Sequence, residues 1–187
     1  MSDREQTRQQ LIALLREHSL VLGEVTLSSG AKASYYVDAR RTVMRPDGLK
    51  AAGTLIALHA RDLGATAVGG PVMAAIPLAC AAIAVPEGES LGGFFVRKER
   101  KAHGLQRWVE GAAEPGDRVL VVEDTVTTGG STISAIERIR DEGFEIAGVL
   151  AVVDRLAGGG EKIAAEAGAP YETLTTIDDI YPDRPDK

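Results

Sequence analysis

Two adjacent acids and a run of hydroxyl and glycine residues stand together in VLVVEDTVTTGGST, residues 119–132. Glu123 and Asp124 follow four apolar residues, and two neighbouring carboxylates can accept hydrogen bonds from a pair of hydroxyls such as a ribose 2′,3′-diol. The hydroxyls and backbone N–H groups that come next can bind a phosphate if a helix begins there, because a helix N-terminus favours an anion. The pattern therefore predicts a diol-binding acid pair beside a phosphate-binding turn.

The predicted turn comprises the residues that follow the acid pair. Its glycine pair lets the backbone approach a ligand closely. It lacks the lysine of a P-loop, so we interpret the bound phosphate as a terminal group that stays in place rather than one that is transferred. For the acids alone, the alternative is a solvated strand end followed by a threonine-rich helix cap. The predicted phosphate-binding residues are Thr125, Val126, Thr127, Thr128, Gly129, Gly130 and Ser131.

A basic segment, FFVRKERKAHG (residues 94–104), is the second candidate site. Four cations against one acid give it a local excess of three positive charges, in a chain whose net charge is −6. Several cations over a compact polyanion such as pyrophosphate would stabilise the charge that develops as it leaves. The alternative is a solvated basic surface. The ionisable residues of the segment are Arg97, Lys98, Glu99, Arg100, Lys101 and His103.

Predicted strands and helices alternate around these segments. Such alternation indicates βαβ units and a mainly parallel sheet covered by helices on both faces. Ligands bind beyond the carboxyl ends of the strands in open sheets of this kind, which is where we expect the acid pair. Hydrophobic periodicity predicts helices over 4–17, 46–63, 76–85, 131–141 and 159–168, and strands over 66–70, 92–98, 118–122, 144–154 and 171–177.

One segment departs from this alternation. Residues 25–38, VTLSSGAKASYYVD, contain two short strand-like runs around a Ser/Gly turn, which predicts a hairpin. We expect this hairpin to form a small hood, at about residues 20–40, over the edge of the sheet. The length of the chain favours a single domain spanning residues 1–187.

The composition limits the class of protein. Of the 187 residues 44% are hydrophobic and 26% are charged, which is typical of globular domains. The negative net charge argues against a general nucleic-acid surface. The amino terminus does not resemble a signal peptide and no stretch has the length of a membrane span, so no membrane partner is expected. Cys80 is the only cysteine, which excludes an internal disulfide and favours a cytoplasmic location.

Both candidate sites resemble those of a known family. Residues 119–132 are similar to the phosphoribosyl-pyrophosphate signature of the type I phosphoribosyltransferases, and residues 94–104 are similar to the mobile loop of the orotate phosphoribosyltransferases among them. The hairpin and VVDRLAGG (152–159) are similar to the same group, so the resemblance covers most of the chain. It implies a type I phosphoribosyltransferase-like α/β fold, with a central, mainly parallel sheet flanked by helices and a small N-terminal hood.

The resemblance implies an activity as well. Members transfer the 5-phosphoribosyl group of phosphoribosyl pyrophosphate to orotate, giving orotidine 5′-monophosphate and pyrophosphate in pyrimidine biosynthesis. The implied cofactor is Mg²⁺, held mainly by the substrate rather than by dedicated protein ligands. The implied assembly is a homodimer with shared active sites. A phosphoribosyltransferase for another base is one alternative, and a non-catalytic regulator of the same fold is the other, although the sequence shows no broad basic face for nucleic acid.

Roles for the basic segment also follow from the resemblance. Arg97, Lys98, Lys101 and His103 are assigned to the pyrophosphate and phosphoribosyl end of the site. Lys101, His103 and Asp124 are the implied catalytic residues. His103 is the candidate proton donor to pyrophosphate, because imidazole titrates near neutrality, and its alternative role is to complete a hydrogen-bond network.

The implied orotate-binding residues are Thr127, Arg155, Tyr36 and Val37, the last two forming a roof over the base. An arginine fork suits a carboxylate or a carbonyl edge. In the alternative interpretation, Arg155 and its neighbour Asp154 only organise the turn after their strand.

Two positions depart from the family pattern, and two more residues are predicted to be structural. Ser28 and Ala74 stand where some relatives carry lysine. Lys32 is the candidate replacement for the first lysine, and backbone amides of a turn after the strand over 66–70, which Gly69 and Gly70 would permit, are expected to contact pyrophosphate in place of the second. Cys80 lies among alanines in a predicted helix and is expected to be buried. Trp108 is expected to pack beneath the strand that follows the basic segment, with substrate stacking as the alternative.

Overall fold

A computed structural model of the chain describes residues 2–26, 32–100 and 107–187. Its elements alternate as the sequence predicts. The described helices and strands, numbered in chain order, are α1 (Asp3–His18), β1 (Leu20–Thr26), β2 (Lys32–Val37), α2 (Arg40–Val43), α3 (Pro46–Asp62), β3 (Ala67–Pro71), α4 (Ala75–Ala84), a 3-10 turn (Pro86–Gly88), β4 (Gly92–Val96), β5 (Val109–Gly111), β6 (Arg118–Val126), α5 (Gly130–Asp141), β7 (Glu145–Asp154), α6 (Gly159–Ala167), β8 (Tyr171–Thr176) and α7 (Ile177–Ile180).

Six of the described strands form the central sheet, in the order β5-β4-β3-β6-β7-β8. Five of them run parallel, and β5 pairs antiparallel with β4 at one edge. This mixed α/β architecture with a mostly parallel sheet confirms the expected fold class.

Strand β6 lies at the centre because it is apolar on both faces. Leu120 and Val122 belong to the core cluster that packs against α1, α3 and α4. Val119 and Val121 point the other way and belong to the cluster that packs against α5 and α6. Alternation of side chains along a strand that is covered on both faces explains why the sequence shows a continuous apolar run here.

The hood is an antiparallel pair, as predicted. Strands β1 and β2 pair from Leu20 opposite Val37 to Thr26 opposite Lys32, and the turn that joins them, with Ser28, lies outside the described residues. Tyr35 on β2 is 4% exposed. Its ring packs edge-on against Tyr181, 5.4 Å between centroids, and its hydroxyl donates to Asp186 Oδ2 at 3.0 Å. The hood is therefore attached to the C-terminal segment of the chain.

Several boundaries differ from the prediction. Strand β6 continues to Val126, four residues beyond the predicted end, because it pairs with β7 along this stretch. The short elements α2, α7 and β5 were not predicted. A signal for α7 was present, since Thr176 and Asp179 form a capping box at its start.

The turn after β3 does not contain the glycine pair that was predicted to form it. Gly69 and Gly70 lie inside the strand. A Cβ atom on Gly69 would lie 2.1 Å from the carbonyl oxygen of Phe94, and one on Gly70 would lie 2.2 Å from that of Val122. The glycine pair is therefore required by the close approach of the two neighbouring strands.

The prediction that Cys80 is buried is wrong as well. Helix α4 turns five residues into the core, and Cys80 lies on its exposed face. The alanines around it made the whole helix look buried, but only part of its surface is covered. The buried residues of α4 are Ala75, Leu78, Ala79, Ala81 and Ala82. Within the described residues, no helix has the length and apolar character needed to cross a membrane.

Candidate active site

The predicted phosphate-binding turn is an open depression between β6 and α5. All seven predicted residues, 125–131, line it together with Thr132. Gly129 precedes the helix with φ +82°, a left-handed conformation that favours glycine, and α5 begins at Gly130. The first N–H groups of α5 therefore stand at the depression, where a helix N-terminus suits an anion.

Helix α6 packs directly on this turn, which sequence reasoning missed. A Cβ atom on Gly159 would lie 2.5 Å from the carbonyl oxygen of Thr127 and 3.0 Å from the backbone nitrogen of Gly129. A Cβ on Gly129 would in turn meet Ile163 of α6 at 2.9 Å. The available signal was the run of three glycines at 158–160. A helix start alone does not require three glycines, so the run indicates a close contact with another segment.

Gly159→Ala is expected to lower the free energy of unfolding by about 1–3 kcal/mol, because the added methyl group must displace the backbone of the turn. Urea unfolding of the variant and the parent measures this change. Gly130→Ala is the matched control for stability, since a Cβ there meets nothing within 4 Å. Equal stability of the two variants would contradict the close packing of α6 on the turn.

Glu123 contacts the first residues of α5 in addition to forming the acid pair with Asp124. Glu123 is 5% exposed. Its Oε2 accepts hydrogen bonds from Ser131 Oγ and Thr132 Oγ1, each at 3.1 Å. Burial, and next the negative charge of Asp124, raise the pKa of Glu123 to about 7. Thr132 was not predicted as a site residue, because its contact depends on how the first turn of α5 faces β6.

Asp124 is the more open member of the pair. It is half-buried, and its Oδ1 accepts a hydrogen bond from the N–H of Thr125 at 2.7 Å. Burial raises the pKa of Asp124, while the Thr125 hydrogen bond and the charge of Arg40 act in the opposite direction. Arg40 is thus a cation close to the acid pair that sequence reasoning did not select. It also binds Asp38, with Nε 2.7 Å from Oδ1.

The stability of the protein is expected to depend on Glu123 between pH 4.5 and about 7. In this window the folded chain holds the proton more tightly than the unfolded chain, whose carboxyl titrates near 4.5, so rising pH removes stability. We expect this group to lower the free energy of unfolding by on the order of 2–3 kcal/mol across the window. Glu123→Gln should abolish that part of the slope in urea unfolding at a series of pH values.

Glu137→Gln on the exposed side of α5 is the matched control for this experiment. It should keep the pH dependence of the parent protein. Parallel pH profiles for the parent and Glu123→Gln would contradict the assignment.

Arg155 lies beside the phosphate-binding turn at the end of the neighbouring strand. Val126 at the end of β6 pairs with Asp154 at the end of β7, and the N–H of Arg155 donates to the Val126 carbonyl at 2.9 Å. Thr127 and Arg155 therefore leave adjacent strand ends. The guanidinium carbon of Arg155 lies 5.7 Å from the centroid of the Tyr35 ring, which brings the hood to the same place.

Asp154 organises the turn that carries Arg155. It is 6% exposed, and it accepts hydrogen bonds from Leu156 N at 2.7 Å and from the hydroxyl of Tyr171 at 2.8 Å. Burial, with the hydrogen bond to Asp154, raises the pKa of Tyr171. The turn is thereby fixed from two sides.

The two predicted roof residues lie on opposite faces of β2. Val37 is 2% exposed and packs in the core, whereas Tyr36 is half-buried. Tyr35 shares the face of Val37, and its ring contacts Arg155. Sequence patterns did not distinguish Tyr35 from Tyr36, because that distinction depends on the face that β2 turns to the core.

The described part of the basic segment begins where β4 ends. Arg97 Nη1 donates to Glu110 Oε1 at 2.9 Å, and Lys98 is exposed. Lys101 and His103 lie outside the described residues.

Known proteins are similar to this chain in sequence and in fold. The family profile described as "Phosphoribosyl transferase domain" matches residues 46–170. The chain is 45% identical over 178 residues to the orotate phosphoribosyltransferase of Streptomyces avermitilis, covering 94% of this chain and 98% of the relative. It is 45% identical over 175 residues to that of Corynebacterium glutamicum, covering 94% of both.

Solved structures are similar along the same length. The orotate phosphoribosyltransferase of Mycobacterium tuberculosis in complex with Fe(III) dicitrate superposes with a TM-score of 0.85 at 43% identity, over 93% of this chain and 98% of that one. The complex of the same enzyme with 5-phospho-α-D-ribosyl 1-diphosphate has a TM-score of 0.80 at 38% identity, with the same coverage.

Proposed function

We propose a reaction and a set of residue roles for this chain from the premise that it belongs to the phosphoribosyltransferase family. It transfers the 5-phosphoribosyl group of phosphoribosyl pyrophosphate to orotate, and the products are orotidine 5′-monophosphate and pyrophosphate in pyrimidine biosynthesis. The observation that carries this conclusion is the open turn between β6 and α5, with its buried acid pair, in a chain whose relatives over 94% of its length are named orotate phosphoribosyltransferase. We propose that residues 1–187 act as one domain.

Phosphoribosyl pyrophosphate is proposed to bind at the turn and the acid pair. Its 5′-phosphate accepts hydrogen bonds from the N–H groups and hydroxyls of residues 125–131, and the start of α5 favours its charge. Asp124 and Glu123 hold the ribose diol. The hydrogen bonds from Ser131 and Thr132 to Glu123 support a second role for that carboxyl, which is to orient the first turn of α5.

Pyrophosphate is proposed to leave toward the basic segment. Arg97, Lys98 and Lys101 stabilise the negative charge that gathers on it, and His103 donates or positions a proton. Lys101, His103 and Asp124 are the proposed catalytic residues. The charge excess of the segment, in a chain that is acidic overall, supports these roles.

Orotate is proposed to bind between the end of β7 and the hood. Arg155 binds its carboxylate or a carbonyl edge, and Thr127 contacts both substrates. Tyr36 forms the roof with its side chain and Val37 with its backbone, because the side chain of Val37 is buried in the core. The contact between Arg155 and Tyr35 supports this location, because it joins the hood to the strand end.

Mg²⁺ is the proposed cofactor. Among the described residues, no group of three or more His, Cys, Asp or Glu side chains is arranged to hold a metal ion. The residues fit an ion that is carried by substrate phosphates, with the half-exposed carboxylate of Asp124 as a hard oxygen donor beside it. When bound, Mg²⁺ would neutralise charge on the pyrophosphate.

A homodimer in the cytoplasm is proposed as the working state. The apolar side chains of Met73 and Ile83, which are 79% and 39% exposed around α4, support a protein contact at that surface. The single cysteine supports a reducing compartment. Light scattering of the purified protein tests the dimer, and a mass equal to one chain would exclude it.

Orotate absorbance tests the reaction. Purified protein, Mg²⁺, phosphoribosyl pyrophosphate and orotate should give a fall in the ultraviolet absorbance of orotate, and omission of any one component should prevent it. Uracil and adenine replace orotate as controls for the base. A folded protein that leaves orotate unchanged under these conditions would refute the proposed function.

A further inference from the structure

Helix α5 holds both chain segments that flank residues 101–106. Arg138 Nη1 donates a hydrogen bond of 2.9 Å to the carbonyl oxygen of Arg97, and its guanidinium carbon lies 4.4 Å from the centroid of the Trp108 ring. Glu142, at the C-terminal end of the helix, accepts hydrogen bonds from the N–H of Trp108 and, at 3.2 Å, from the N–H of Val109. The C-terminal end of α5 therefore contacts both the segment before residue 101 and the segment after residue 106.

The two segments are also joined to each other. The N–H of Arg97 donates to the carbonyl of Trp108 at 2.9 Å, which continues the pairing of β4 with β5 by one step. A second cation, Arg100, lies 5.4 Å from the centroid of the Trp108 ring. Trp108 directly precedes β5, and its π face attracts the two guanidinium groups. We call the paired segments before residue 101 and after residue 106 the stem. The four residues Arg97, Trp108, Arg138 and Glu142 are called the stem clamp.

We infer that Arg138 and Glu142 are positioning residues for phosphoribosyl transfer. They fix the stem, and so they hold Arg97 and Lys98 in place relative to the phosphate-binding turn, which is built on the first residues of the same helix. This inference rests on the proposed function, in which those cations stabilise the leaving pyrophosphate. A displacement of about 1 Å between reacting groups can cost about 100-fold in rate, so the clamp acts on turnover rather than on binding of the base.

Arg138→Leu tests the clamp against a matched control on the same helix. Arg140 also hydrogen-bonds a backbone carbonyl, that of Ala167, at 2.7 Å, and it faces α6 instead of the stem. Arg138→Leu is expected to lower kcat by about 10- to 100-fold relative to Arg140→Leu, with the KM for orotate changed by less than about twofold. Arg138→Lys should recover part of kcat, because an ammonium group keeps a cation over the ring and a donor for the carbonyl.

Tryptophan fluorescence gives a readout that needs no substrate. Trp108 is the only tryptophan of the chain, so its emission reports on the stem. In Arg138→Leu we expect a red-shifted emission and stronger quenching by acrylamide, because the ring loses its guanidinium cover, whereas Arg140→Leu should match the parent. Unchanged fluorescence, or a kcat equal to that of Arg140→Leu, would overturn the inference. A parent protein inactive with orotate would instead refute the proposed function, so the two failures are distinguishable.

Discussion

Lys101→Ala is expected to lower kcat by about 100- to 1,000-fold, the loss that follows removal of one preorganised group that stabilises transition-state charge. The leaving pyrophosphate gains negative charge as its bond to the ribose breaks. A lysine that meets this charge contributes more in the transition state than in the bound substrate complex, so kcat should fall while the KM for orotate changes little. Initial rates from the orotate absorbance assay, over a range of both substrates, measure the two constants.

Lys50→Ala is the matched control for this variant. Lys50 is exposed on α3, and it is not among the residues to which we assign a role. Both variants are expected to unfold at the temperature of the parent protein, so that a lower kcat reports on the reaction rather than on folding. Near-normal turnover of Lys101→Ala would remove the basic segment from the mechanism and leave the phosphate-binding turn as the supported part of the site.

The sequence predicted the alternation of strands and helices along the chain, but it misjudged where the central strand ends. An apolar run followed by Glu123 and Asp124 resembles a strand that stops at the acids. In the folded chain, Glu123 pairs with Ala151 of β7 and the pairing continues to Val126, so backbone hydrogen bonds to a neighbouring strand override the local polarity. The acids consequently lie inside the strand, and this position accounts for the burial that raises the pKa of both.

Contacts between distant segments account for what the sequence could not predict at the site. Gly159 of α6 touches the turn at Thr127, and Tyr35 of the hood reaches Arg155, although more than 30 residues separate the members of each pair. Local patterns of polarity and glycine identified each segment but not which face it would present. The residues of the turn itself were predictable, because they are consecutive and their chemistry depends on one strand end and one helix start.

Asp124→Asn is expected to raise the Kd for phosphoribosyl pyrophosphate by about 10- to 100-fold, which corresponds to the loss of one or two hydrogen bonds to a charged acceptor. Asparagine keeps the size of the side chain and one acceptor oxygen, but it lacks the negative charge that strengthens hydrogen bonds from the ribose hydroxyls. Orotate does not carry the diol, so its Kd should change by less than about twofold. Calorimetric titrations with each substrate, in the presence of Mg²⁺, measure both constants.

Stability should not confound this comparison. Burial raises the pKa of Asp124, which means that the fold disfavours its charged form, so a neutral asparagine is expected to preserve the free energy of unfolding near neutral pH. Asp141→Asn, an exposed change at the end of α5, controls for the loss of one negative charge. Equal weakening of both substrates by Asp124→Asn would contradict the diol assignment. Selective weakening of phosphoribosyl pyrophosphate would instead support Asp124 as the residue that holds the ribose while the turn after β6 holds its phosphate.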